Sequence, residues 1–373
     1  MKNSSSTVQS STRWVESLSP WPVDGFGLER MLRLLHDLGD PQLAYDAIHV
    51  VGTNGKSTTT RLTEALLANE GLRVGAYYSP HVRGWSERIR VDGAEADFER
   101  AVDRVRPHAA EVTQFEVLTA AALLEFAEAG VDVAVVEAGL GGRHDATNVL
   151  RTRVVVLTNV ALEHTDVLGD TRGEIAAEKL AVVQPGCVVV LGDGEWKELA
   201  RANGAARVEL TGASNLALAI AAAQAFLGRE VDPHAVDDVA LPGRLERRGD
   251  EPLELWDGAH NLAGLGYLLP RLPDRDDWVV VASILADKRP ELMLEALSVL
   301  GRRFVATESS NARALAAGEL AARAKPYFDH VDVLPDPHAA RAHARAVAGP
   351  EGAVVVTGSL YLLAELSDSS DRP

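Results

Sequence analysis

From about residue 45 onward, short runs of apolar, largely β-branched residues alternate with longer stretches whose apolar positions recur every three or four residues. The runs at 48–51, 131–137, 154–157 and 188–191 show little polar alternation and predict strands buried on both faces. The Ala- and Leu-rich stretches at 57–69, 115–129 and 215–226 predict helices between them. This rhythm predicts an α/β domain, a mostly parallel sheet with helices on both faces. Pro and Gly break both periods at Leu241-Pro242-Gly243-Arg244. Five further runs, at 253–256, 278–282, 304–307, 331–334 and 353–356, restart it and predict a second, smaller α/β domain of Rossmann-like type. The expected domains are 21–242 and 243–366. A Ser/Thr-rich tail at 1–20 and a polar one at 367–373 are expected to be flexible. No short internal repeat points to a solenoid.

Composition narrows the function. A chain of 373 residues suits two domains, and 46% hydrophobic content with only 5% aromatics implies a large aliphatic interior. The formal charge of -17 disfavours a nucleic-acid partner, which needs a basic face. A few local Lys and Arg residues can still hold an anionic small molecule in a cleft. The single cysteine, Cys187, excludes an intramolecular disulfide and, in an apolar run, reads as a buried, inert thiol. No stretch reaches the ~18 apolar residues of a spanning helix, and the first residues lack the apolar core of a secretory signal. A soluble cytoplasmic protein is expected.

The sharpest chemical signal is Val50-Val51-Gly52-Thr53-Asn54-Gly55-Lys56-Ser57-Thr58, which leaves a predicted strand and opens a predicted helix. A phosphate loop requires that context. Glycines let the backbone curl so that amides face phosphate oxygens, and the helix N-terminus and Lys56 add positive charge. The hydroxyl of Ser57 or Thr58 is placed to meet a phosphate oxygen or a phosphate-bound Mg²⁺. The general G-x-x-x-x-G-K-[ST] pattern would put glycine at position 50, where Val50 stands. The shorter G-T-N-G-K form resembles the Mur ligase superfamily.

Further blocks resemble one branch of it, the folylpolyglutamate/dihydrofolate synthases. They are Gly27-Leu28-Glu29-Arg30, Tyr78-Ser79-Pro80-His81, Glu87-Arg88-Ile89-Arg90-Val91, Phe115-Glu116-Val117-Leu118-Thr119-Ala120 and Glu137-Ala138-Gly139-Leu140-Gly141-Gly142-Arg143-His144-Asp145-Ala146-Thr147-Asn148. Glu163-His164, Ala177-Glu178-Lys179, Pro242-Gly243-Arg244, Asp257-Gly258-Ala259-His260-Asn261 and Thr357-Gly358-Ser359-Leu360-Tyr361 follow in the family's order. The resemblance implies a P-loop central domain of the Mur ligase type followed by the Rossmann-like domain. It implies that Ser79, Glu137 and His164 hold Mg²⁺, and that Lys179, once carbamylated, is a ligand for a second Mg²⁺. Asn215 would lie near the adenine, Asp257 near the ribose with His260 beside it, and Arg244 on the linker would reach the ATP phosphates. Two departures stand out. Ser57 replaces the branch's usual glycine, and the 191–215 region is short.

The implied reaction is an ATP- and Mg²⁺-dependent amide synthesis, with Lys56, Lys179, Arg244 and His164 as its catalytic groups. ATP phosphorylates a folate or dihydropteroate carboxylate, and the amine of L-glutamate attacks the acyl phosphate. Positioning and charge neutralisation carry such a transfer. A monomer is expected, with neither nucleic acid nor membrane as partner. Two alternatives remain at this point: a Mur-type ligase of a cell-wall precursor, and a nucleotide-binding switch without ligase activity.

Overall fold

The computed structural model describes residues 10–23 and 25–368, which divide into two compact units. The first runs to Pro80 and then over Trp85–Val239. The second consists of His81–Gly84 and the chain from Ala240 on. No described helix is long and apolar enough to cross a membrane.

In the first unit the strands are β1 (Asp46–Val51), β2 (Val74–Tyr77), β3 (Ile89–Val91), β4 (Ala94–Glu95), β5 (Val133–Glu137), β6 (Thr152–Leu157), β7 (Val188–Leu191) and β8 (Arg207–Leu210). They form one sheet in the order β4-β3-β2-β5-β1-β6-β7-β8. Every pairing from β2 to β8 is parallel, and β3 and β4 add an antiparallel edge. Residues alternate between its faces as a strand period of two demands. Ala47, Ala134 and Val136 pack with the helix Gln114–Ala129, while Ile48, Val50, Val135 and Val156 pack with Lys56–Asn69 and Asn215–Leu227. Gln114–Ala129 starts at a capping box made by Thr113 and Glu116 and stops at Gly130, which takes the left-handed conformation (φ 63).

Part of the expected N-terminal tail is ordered. Ser11–Ser17 is a helix: Glu99 accepts from the amides of Ser11 and Thr12, and Val15 is buried in the core. Its serines read as a tail by composition, yet Ser10 caps the helix and Trp14 and Val15 supply its apolar side. The rest of that tail, residues 1–9, lies outside the described residues. At the other end the helix Leu360–Asp368 takes in the first residues of the expected 367–373 tail, whose remainder also lies outside them.

The second unit has β9 (Glu246–Asp250), β10 (Leu253–Trp256), β11 (Trp278–Ala282), β12 (Arg303–Ala306), β13 (His330–Val333) and β14 (Ala353–Thr357), in the order β13-β12-β11-β14-β10-β9. Only β9 is antiparallel to its neighbour. It is the strand that the five apolar runs do not include. Val82, from the early His81–Gly84 segment, is buried in this unit's core with Trp256, Val279 and Val354. Glu254, on β10, is fully buried, accepting from the Trp256 indole at 2.7 Å and pairing with Arg341 at 2.6 Å and with Arg345. Glu254→Ala is expected to lower unfolding stability by about 3 kcal/mol, because both arginines and the indole lose their shared acceptor. A urea denaturation series checks this, and a loss below about 1 kcal/mol would contradict it.

Candidate active site

Parallel strands bring their C-terminal ends to one edge, where α/β sheets bind ligands. Here β1 delivers the Gly52–Lys56 loop, β2 delivers Ser79, β5 ends on Glu137, and β6 leads through Thr158 and Asn159 towards His164.

The loop is braced before any ligand arrives. Thr53 donates its amide to the Asn159 carbonyl at 3.0 Å. The Asn159 carboxamide accepts from the Asn54 amide and donates to the Asn54 carbonyl, each at 3.0 Å. Thr158 Oγ1 donates to that carbonyl at 2.7 Å. Gly52 (φ 147) and Gly55 (φ 83) are needed for shape: added Cβ atoms would lie 1.9 Å from Thr158 Oγ1 and 2.4 Å from Asn215 Oδ1. With the amides of Thr53 and Asn54 used internally, those at the start of Lys56–Asn69 remain to face an anion, since first-turn amides have no intrahelical acceptor.

Two lysines converge on this loop. Lys56 Nζ donates to the carbonyls of Gly52 and Thr53 at 3.3 Å, and Lys179 Nζ donates to Gly52 O at 2.9 Å. Lys179 is buried, and its pKa falls to about 7. Burial is the main cause and the charge of Lys56 the next, opposed by Glu163, Asp145 and Glu178. The adjacent Glu178 points elsewhere, pairing with Arg143 at 3.2 Å.

Glu137 is buried at the tip of β5, accepting from Ser57 Oγ at 3.0 Å through Oε1 and from the Ser79 amide at 3.1 Å through Oε2. A carboxylate offers about four lone-pair sites, and oxygen donors of this kind suit a hard cation. Among the described residues no group of three or more His, Cys, Asp or Glu side chains could hold a metal ion. An ion here would draw on one carboxylate, hydroxyls, water and substrate phosphates, which is how Mg²⁺ is commonly held. The donor set fits that ion. His164 takes a left-handed conformation (φ 51), and its carbonyl caps the short helix Thr165–Leu168 by accepting from Val167 and Leu168.

Asn215 opens the helix Asn215–Leu227, but Ser214 caps it, which leaves the Asn215 side chain against Gly55. Residues missed by sequence reasoning also build the site. Beyond Thr158 and Asn159, the buried His49 on β1 meets Thr147 Oγ1 at 2.8 Å, and Thr147 donates on to Asp145. Burial lowers the His49 pKa to about 3, so the ring is neutral. Asp145, whose pKa burial raises, accepts from the amides of Leu140 and Thr147 and so pins the Gly139–Asn148 turn. No spacing rule separates such residues from ordinary turn and core polars.

In the second unit Asp257 follows β10 and accepts from the amides of Leu245 and Ala259, each at 2.9 Å. Burial raises its pKa, and Arg244 opposes that. Arg244 Nη1 donates to Gly243 O at 2.8 Å, and a Cβ on Gly258 would lie 2.7 Å from it. His260 Nδ1 donates to Gly258 O at 2.8 Å. Arg244, Asp257 and His260 thus form one group.

A braced, lysine-bearing glycine loop beside a strand-end carboxylate is a P-loop type of nucleotide-phosphate site. Residues 50–237 match the Mur ligase middle domain, and residues 243–360 match the Mur ligase, glutamate ligase domain. The dihydrofolate synthase/folylpolyglutamate synthase of Mycobacterium tuberculosis is 33% identical over 91% of this chain and 89% of its own. The structure of Escherichia coli FolC in complex with DHPP and ADP superposes with a TM-score of 0.86 at 28% identity, covering 96% of this chain and 97% of that one. The bifunctional folylpolyglutamate synthase/dihydrofolate synthase of Yersinia pestis, complexed with AMPPNP and Mn ion, gives 0.85 at 28% identity over 96% and 97%. The chain belongs to the folylpolyglutamate/dihydrofolate synthases of the Mur ligase family.

Proposed function

We propose that this chain joins L-glutamate to the carboxylate of dihydropteroate or a folate in an ATP-dependent reaction. The observation that carries the reading is the convergence of Lys56, Lys179 and the strand-end Glu137 on one phosphate loop. The acceptor carboxylate oxygen takes the γ-phosphoryl group and ADP leaves. The glutamate amine then attacks the acyl carbon, phosphate departs, and the nitrogen loses a proton. Phosphorylation matters because oxide is otherwise the leaving group.

Lys56 and the first-turn amides hold the β- and γ-phosphates, while Gly52, Thr53, Asn54, Gly55 and Thr58 shape the cradle. Ser79, Glu137 and His164, with Ser57, would hold Mg²⁺, and a carbamylated Lys179 would serve a second Mg²⁺. When bound, the ion neutralises phosphate charge. Asn215 serves the adenine side, and Arg244, Asp257 and His260 are assigned to nucleotide binding by the family resemblance. The depressed pKa of Lys179 supports the carbamate, since only a neutral amine adds to CO₂. We take the enzyme to be a cytoplasmic monomer.

The test is an acceptor panel: dihydropteroate, tetrahydrofolate and a muramoyl peptide precursor, each with ATP and glutamate, with and without Mg²⁺. Expected is glutamate-dependent phosphate release with a pteroate or folate acceptor, only when Mg²⁺ is present. Turnover with the muramoyl precursor alone, or ATP binding without amide formation for any acceptor, would overturn the reading.

A further inference from the structure

Seven residues beyond Ser57, on the same face of the helix Lys56–Asn69, stands Glu64, and its carboxylate is buried. It accepts from the hydroxyl of Tyr78 and from Arg90 Nε, the latter at 3.1 Å to one oxygen and 3.3 Å to the other. Tyr78 is buried too. Its amide donates to Arg88 O at 3.0 Å, and the Arg61 guanidinium lies 5.1 Å over its ring. The next residue is Ser79, whose amide reaches Glu137 Oε2, while Ser57 Oγ reaches Glu137 Oε1. The contacts therefore close a circuit: helix to Tyr78 through Glu64, Tyr78 to Ser79 by the chain, Ser79 to Glu137, and Glu137 back to the helix through Ser57.

We propose that Tyr78 is a positioning residue for the cation site. Its hydroxyl, fastened to Glu64, sets the distance between Ser79 and the phosphate-loop helix and so fixes the direction of both Glu137 oxygens. This rests on the reading of Glu137 and Ser79 as ion ligands. The Ser79 amide and the Ser57 hydroxyl hold the carboxylate at two points, and one of them is no firmer than the strand end that carries it. Glu64 holds that strand end through the tyrosine hydroxyl, and Arg90, paired with the same carboxylate at 3.1 Å, fixes the direction of its oxygens.

Tyr78→Phe keeps the ring, its packing and the Arg61 contact, and deletes only the hydroxyl. Mn²⁺ binding to the full-length enzyme with a non-hydrolysable ATP analogue, followed by the EPR signal of free Mn²⁺, reads the site without turnover. The expected result is about tenfold weaker Mn²⁺ binding in Tyr78→Phe, the scale of losing a group that orients a metal ligand. Its KM for glutamate should stay at the wild-type value. Glu64→Gln retains a carbonyl acceptor for the tyrosine and is expected to lose less Mn²⁺ affinity than Tyr78→Phe. Wild-type Mn²⁺ affinity in Tyr78→Phe, or an equal loss in both variants, overturns the proposal while leaving the ion site intact. Wild-type enzyme that binds no Mn²⁺ overturns the reading of the ion site itself, and this proposal with it.

Discussion

Lys56→Met is expected to lower kcat for glutamate-dependent phosphate release by about a thousandfold, the upper range for deleting one preorganised charge that stabilises a transition state. Lys56 is the full positive charge at the loop's helix end, and phosphoryl transfer to a carboxylate builds negative charge there. The fold should survive the change. Among the described residues the lysine donates to the carbonyls of Gly52 and Thr53, Gly52 keeps its bond from Lys179, and Asn159 still braces the loop. Lys56→Arg restores the charge but not the shape, because a planar guanidinium cannot occupy the place of a compact ammonium, and it should recover only part of the rate. Steady-state kinetics with circular dichroism check this. A folded Lys56→Met enzyme within tenfold of wild type would remove Lys56 from the chemistry.

Much of this site is legible in the sequence because central parallel strands have no solvent face. Val133–Glu137 and Val188–Leu191 read as strands from continuous apolar residues, and the strand-loop-helix context of Gly52–Lys56 then locates the phosphate loop. Two edge strands do not announce themselves in this way, although a third, β13, does through the run at 331–334. β8 (Arg207–Leu210) and β9 (Glu246–Asp250) pair on one side only and carry charged residues, which is how edges avoid further pairing. The opposite fates of Glu178 and Lys179 are equally hidden: neighbours on a helix face different ways, but the sequence does not say which one turns inward. His81–Gly84 joins the second unit through buried Val82 and the Arg83–Glu246 pair at 3.1 Å, in a segment with no periodicity to mark it. The Asn159 clamp is beyond sequence as well, since its partner Asn54 is 105 residues away.

Lys179→Ala is expected to reduce kcat by about a hundredfold or more, and short carboxylates such as acetate should restore part of it. The lysine must be neutral for Nζ to attack CO₂, forming the N–C bond and releasing a proton. With the pKa at about 7, much of it is neutral near physiological pH, whereas an ordinary lysine would be almost wholly charged. Activity after equilibration with bicarbonate should therefore rise through about pH 7 and fall when CO₂ is stripped. Because Lys56 contributes to the lowering, Lys56→Met should move that limb to higher pH, though burial keeps it below the ordinary lysine value. The stability consequence has a definite sign. From about pH 7 to the ordinary lysine value of 10.5 the unfolded chain holds a proton that the folded one does not, so stability rises with pH across that window. Below it both states are protonated, and the folded state carries the whole penalty of a buried ammonium. Lys179→Met should accordingly be more stable than wild type at pH 6, with the margin shrinking towards pH 10. A carbamate resonance from ¹³C-bicarbonate in wild type, absent in Lys179→Ala, would confirm the modification. Activity indifferent to CO₂, with no acetate rescue, would leave Lys179 acting as an amine that braces Gly52.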